Sequence, residues 1–99
     1  MTMTTGMSDK SSWHAFIERA VEQRRRAGAL MGDAPTVLLQ RDLLLTMALR
    51  NETAAEVRMR RAEGHPIEPA VRELQTLDAR LVELGAKLRS HGIDVRRKK

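Results

Sequence analysis

Three histidines, His14, His65 and His91, stand alone in the sequence. None has a second His, Asp or Glu at the spacing of a metal motif. They are expected to be structural or exposed to solvent. Hydroxyl nucleophiles gather near the N-terminus and at helix starts. There is no Gly-x-Ser-x-Gly elbow and no glycine-rich phosphate loop. Glu52, Glu56 and Glu63 lie on one helical segment, where carboxylates can hold iron. The Glu-x-x-His pattern of di-iron bundles is missing, so they read as surface charges. Asp42 sits among leucines and reads as a surface position with an i,i+4 partner. The alternative places it beside Arg41 or Arg50. With no cysteine, thiolate and disulfide chemistry are excluded. No residue is therefore assigned a catalytic, cofactor-binding or metal-binding role, and the chain is expected not to be an enzyme.

The residues that carry recognition chemistry are basic. Lys and Arg number 18 against 13 Asp and Glu, a formal net charge of +5. Arg24, Arg25 and Arg26 end a first helical segment. Arg58, Arg60 and Arg61 end a second, and Arg96, Arg97, Lys98 and Lys99 close the chain. Such groups neutralise phosphates. The plainer reading is cations opposing the negative ends of helix dipoles, plus a solubilising tail. Trp13 and Phe16 are the only aromatic residues, so stacking of single-stranded bases is not expected. Duplex DNA, if engaged, is held through its backbone with little reading of sequence. The candidate nucleic-acid contacts are Arg58, Arg60, Arg61, Arg96, Arg97, Lys98 and Lys99.

Composition dictates what positions these charges. Leu, Ala, Met and Val set among Arg and Glu, with almost no aromatics, favour helices over sheets. Residues 1–11 are polar and unpatterned and are expected to form a disordered tail. A first helix is expected over 13–27, capped by Ser11 or Ser12 and ended by Gly28 in a left-handed conformation. Its stripe is Trp13, Phe16, Ile17, Ala20, Val21 and Ala27. Leu30 and Met31, in the following connection, are expected to tuck against the core. A second helix is expected over 35–63, with Pro35 in its first turn and Gly64 beyond its end. Its first half is apolar nearly all round and should be buried on more than one side. Its second half reads as a solvated rod.

The third helix, expected over 68–91, has the cleanest pattern. Ile67, Ala70, Leu74, Leu77, Leu81, Leu84, Leu88 and His91 alternate three- and four-residue steps, an unbroken heptad seam widened by Val71 and Val82. Gly92 then stops it, with Ile93 placed for a Schellman ending. The fold class is all-α: a short N-terminal helix packed across the leucine-rich half of a long antiparallel, coiled-coil-like hairpin. The expected division is a tail over 1–11, a three-helix domain over 12–93 and a basic tail over 94–99.

A chain of 99 residues buries only about 60–65% of the surface its unfolded form exposes. The seam Leu74, Leu77, Leu81, Leu84, Leu88 is longer than a short first helix can cover. Association with copies of itself is therefore expected, with the seam either intra- or intermolecular. The N-terminus has neither the basic nor the apolar region of a signal peptide, and no membrane span is expected, so a cytoplasmic location is expected.

Residues 38–95 are similar in layout to small terminase subunits of tailed phages. A long helix leads to Gly64-His65-Pro66, and a second helix follows with Arg72-Glu73-Leu74 and Ala79-Arg80-Leu81, closing on Gly92-Ile93. The family's Leu-Gly-Leu-x-Pro ending is replaced by His91-Gly92-Ile93-Asp94-Val95. The resemblance implies a ring-forming homo-oligomer in the host cytoplasm. That oligomer would engage viral DNA and hand it to a large terminase subunit, which carries the ATPase and nuclease. The competing reading is a helical adaptor, structural or inhibitor protein that acts through protein–protein contacts.

Overall fold

The computed structural model of the chain describes residues 2–93, with side chains described from Trp13 onward. The candidate contacts Arg96, Arg97, Lys98 and Lys99 lie outside the described residues. Three helices make up the fold: α1 (Thr2–Ala29), α2 (Pro35–Glu63) and α3 (Glu68–Ser90), with no strand among the described residues. None of these helices is long and apolar enough to cross a membrane.

The hairpin of α2 and α3 forms where the sequence places it. Pro35 occupies the first turn of α2, where its missing N–H is not needed. Gly64 ends the helix with φ 77°, and the Schellman bonds follow: the Gly64 N–H donates to Arg61 O at 3.2 Å and the His65 N–H to Arg60 O at 2.8 Å. The same ending closes α3. Gly92, with φ 84°, donates to Arg89 O at 2.9 Å, and the Ile93 N–H donates to Leu88 O at 3.0 Å. His91 is the exposed cap residue there, not a member of the buried seam.

The first helix differs from its expected form. It begins at Thr2, so backbone that was read as an unpatterned tail is helical, and α1 at 28 residues nearly matches α2 at 29. Helices propagate cheaply once a packed stripe has nucleated them, and no proline stands in 2–12 to interrupt it. Gly28 does not end α1. It has no left-handed φ, the helix continues to Ala29, and Gly32 takes the positive φ of 93° inside the connection. Leu30 is half-buried, as a residue tucked under the chain should be, but Met31 is exposed.

Both α1 and α3 pack on α2, and among the described residues no Cα of α1 lies within 8 Å of one of α3. Contact with α1 runs along α2 as far as Arg58, well past its leucine-rich half. The stripe of α1 is simply too long to end sooner once the chain has turned back at residues 30–34. The most buried part of α2 is consequently its middle, where Thr46, Ala48, Asn51, Thr53, Ala54 and Ala55 meet helices on two sides. The expected solvated rod is thus confined to its last turns. Small buried residues predominate, with Ala20 and Ala27 on α1 and Ala70 and Gly85 on α3. Such residues let helix axes approach closely but bury little area each.

Along the seam of α3, Leu84 and Leu88 are 1% and 0% exposed and are the largest fully buried side chains. Leu74, Leu77 and Leu81 are half-buried. In an antiparallel hairpin the end of α3 lies beside the leucine-rich start of α2, and its beginning lies beside the Arg- and Glu-rich end. The seam is therefore the intramolecular contact with α2, and it loosens toward the turn. Val82, expected to widen it, is exposed.

Candidate nucleic-acid and self-association surfaces

Because α1 and α3 pack on different faces of α2, two sides of α2 remain between them, and side-chain contacts show which residues share each. On α2, Leu38, Asp42, Leu45, Leu49 and Glu52 recur at steps of four, three, four and three. They form one stripe. Ile17, Val21 and Arg24 form a stripe on α1 in the same way. The bidentate pair of Arg24 with Glu52, at 2.8 and 2.9 Å, joins the two stripes. On the α3 side the same surface is bounded by Arg80, which donates to Asp42 Oδ2 at 2.7 Å. The exposed apolar side chains on this side are Leu49, at 42% exposure between Asp42 and Glu52, Leu38 one turn before Asp42, and Ile17 and Val21, the latter at 62% exposure, on α1 beyond Arg24.

Asp42 is thus half-buried and its ion-pair partner is Arg80 of α3, not Arg41 or Arg50. Its i,i+4 neighbour Thr46 also donates to it, at 3.4 Å. Arg41 instead donates to the carbonyl of Leu30 at 2.9 Å, which fastens the α1–α2 connection. Arg50 donates to Asp78 Oδ1 at 3.0 Å.

The opposite side is polar and basic. Arg19, Gln23 and Arg26 make one stripe on α1, and Arg58 and Arg61 continue on α2 a stripe whose earlier members Asn51 and Ala54 are buried. Two contacts bring these stripes together. The Asn51 amide donates to Gln23 Oε1 at 2.9 Å. Farther along, the guanidiniums of Arg19 and Arg58 lie 5.6 and 5.4 Å from the centroid of the Phe16 ring. A cation over an aromatic face is held by the ring quadrupole, so Phe16 holds two positive charges at the α1–α2 seam. Ala15, Glu18, Arg19, Glu22, Gln23 and Arg26 line a shallow concavity on α1, so acidic and basic side chains share it. Glu22 is engaged by Arg25 through bonds of 2.6 and 3.0 Å. The hydrogen bond from Arg25 holds its carboxyl below the usual carboxylate range.

The basic runs of the sequence are split by this geometry. Arg58 and Arg61 face the polar side, while Arg60 turns away and donates to Glu56 at 2.8 Å. Of the first run, Arg24 pairs with Glu52 and Arg25 with Glu22, which leaves Arg26 on the polar side. The sequence does not single out Arg19, which stands apart from the contiguous run Arg24, Arg25 and Arg26. The signal was its seven-residue spacing to Arg26, one face of a helix. Glu52, Glu56 and Glu63 are ion-pair partners, with Glu63 3.5 Å from His65 Nε2. Among the described residues no group of three or more His, Cys, Asp or Glu could hold a metal. His14, His65 and His91 are all exposed.

No family model, curated protein or solved structure matches the chain.

Proposed function

We propose that this protein is a non-enzymatic helical assembly protein whose copies associate with one another and whose assembly engages duplex DNA. The observation that carries the first half is the apolar stripe of Ile17, Val21, Leu38 and Leu49, exposed on one side of a fold in which, among the described residues, Leu84 and Leu88 are the two large side chains fully buried. A second copy is the occupant that suits it. The stripe is interspersed with both signs of charge, Arg24–Glu52 and Asp42–Arg80. A copy related by a two-fold axis would set this mixed charge against itself and cover the apolar side chains around it.

The DNA half rests on the net charge of +5 and on arginines displayed away from that stripe. The layout resemblance to small terminase subunits supports placing the assembly in DNA packaging, with the ATPase and nuclease on a separate large subunit. An adaptor acting through protein contacts alone is the second reading. It is favoured by the ion pairs that already engage Arg24, Arg25 and Arg60. Sedimentation of the full chain, with and without duplex DNA, tests the proposal. A multimer at micromolar concentration that co-sediments with DNA at low salt is expected. A multimer indifferent to DNA at low salt would favour the adaptor, and a monomer would refute self-association.

A further inference from the structure

We propose that the second copy lies antiparallel along α2, with Leu49 at the two-fold axis and Leu38 of each copy against Met59 of the other. This rests on the self-association reading above and gives it a direction and a register.

Spacing carries the first part of the argument. The α2 stripe that begins at Leu38 does not stop at Glu52. Steps of four and three residues carry it on to Glu56 and Met59, and Met59 is 37% exposed. Alternating steps of four and three mark a helix seam that receives another helix. The seam of α3 has the same spacing, but α2 already lies against it. On this stripe of α2, Leu38, Leu49 and Met59 are exposed and Leu45 is half-buried. Leu49 is the middle member, with three others on each side. An antiparallel copy centred there sets Leu45 against Glu52, Asp42 against Glu56 and Leu38 against Met59, so every member has a counterpart. Contacts with α1 favour the same direction. The Arg24–Glu52 pair and the placing of Arg58 over the Phe16 ring set the turns of α1 that hold Ile17 and Val21 alongside the later half of the stripe. An antiparallel copy brings the leucines of its earlier half toward them.

Charge selects the occupant. Each carboxylate of the stripe has its own arginine: Asp42 has Arg80 at 2.7 Å, Glu52 has Arg24 at 2.8 Å and Glu56 has Arg60 at 2.8 Å. The stripe therefore displays both signs in equal number. A uniformly negative partner such as duplex DNA would meet three carboxylates here, whereas a surface of mixed sign complements a copy of itself. Charge also selects the direction. A parallel copy would gather Glu52 and Glu56 of both chains at one end of the contact and align the dipoles of two long helices. The antiparallel copy spreads the carboxylates evenly over both ends and opposes the dipoles.

The test exploits the absence of cysteine from the chain. The full-length variants Leu49→Cys, Leu38→Cys, Met59→Cys and the double change Leu38→Cys, Met59→Cys are treated at micromolar concentration with a short bismaleimide and run on a denaturing gel. The three positions are exposed, so each variant should keep the circular dichroism of the parent. Within one chain the two sites of the double variant are about 30 Å apart along α2, too far for the reagent to bridge. Leu49→Cys and the double variant should each give a band at twice the chain mass of 11.2 kDa, and Leu38→Cys alone and Met59→Cys alone should not. A dimer band from either of those single variants would show a parallel copy and overturn the proposal. Crosslinking by only one of Leu49→Cys and the double variant would mean that the helices do not meet along the whole seam, which also overturns it. If no variant crosslinks while the parent sediments as a multimer, the copies meet on another surface, and this proposal fails while self-association stands. If the parent sediments as a monomer, self-association fails and the proposal fails with it.

Discussion

Leu88 is wholly inaccessible to solvent and Leu84 nearly so, and they sit where α3 meets the leucine-rich start of α2. Truncating a buried leucine to alanine costs about 2–5 kcal/mol. Leu88→Ala should therefore lower the thermal midpoint sharply by circular dichroism. Leu81→Ala should lower it distinctly less, because Leu81 is half-buried. Equal losses would mean that the seam does not loosen toward the turn. Gln23→Ala tests the polar seam, since it removes the acceptor that Asn51 uses at 2.9 Å. An unmet buried amide costs about 1–3 kcal/mol, and the same melt should report it. The Glu22–Arg25 pair is exposed, and its effect should be slight. Its sign is fixed all the same: the lowered carboxyl adds stability at neutral pH and loses it as pH falls through that lowered value. At this scale the sequence was only partly legible. Arg58, Arg60 and Arg61 look like one basic run, but 100° per residue sends Arg60 to Glu56 and the other two to the polar side. Asp42 found its ion-pair partner 38 residues away on Arg80, a distance no local pattern reports.

Two glycines of similar appearance in the sequence do opposite work in the helices that contain or end on them. Gly64 has φ 77° and terminates α2, so Gly64→Ala forces a side chain into the left-handed region at a cost of about 1–2 kcal/mol. Gly28 lies within α1, has no left-handed φ, and an added Cβ there would meet nothing within 4 Å. Gly28→Ala should therefore stabilise the fold, by about 0.5–1 kcal/mol. Urea denaturation of the two variants beside the parent gives both signs, and a destabilising Gly28→Ala would contradict the helical placement of that residue. The hairpin was legible because Pro35, Gly64 and Gly92 mark its boundaries by backbone chemistry that needs no tertiary partner. The extent of α1 was not, because its first turns carry no apolar stripe and Gly28 resembles a stop. The tight middle of α2 was also hidden. Alanines and threonines look like weak core residues until two helices are seen to press on them.

Each helix of this molecule has one partner face satisfied, and α2 has two, yet the fold leaves a row of apolar side chains uncovered on one side. That row, interspersed with the Arg24–Glu52 and Asp42–Arg80 pairs, is where a second copy is proposed to sit. Composition and length pointed to association, but they pointed to the heptad seam of α3 as the surface. The fold spends that seam on α2, and the surface left for a partner lies on α1 and α2 instead. The difference arises because a seam shows in a sequence whether its partner is the same chain or another. Leu49 stands near the middle of the uncovered row and is 42% exposed, so a charge placed there burdens an interface far more than the folded monomer. Sedimentation equilibrium of the parent and of Leu49→Arg at micromolar concentration therefore tests self-association most directly. The account predicts a multimer for the parent and a folded species near the monomer mass of 11.2 kDa for the variant. A parent that stays at the monomer mass as its concentration rises, or a Leu49→Arg variant that assembles as the parent does, would contradict it.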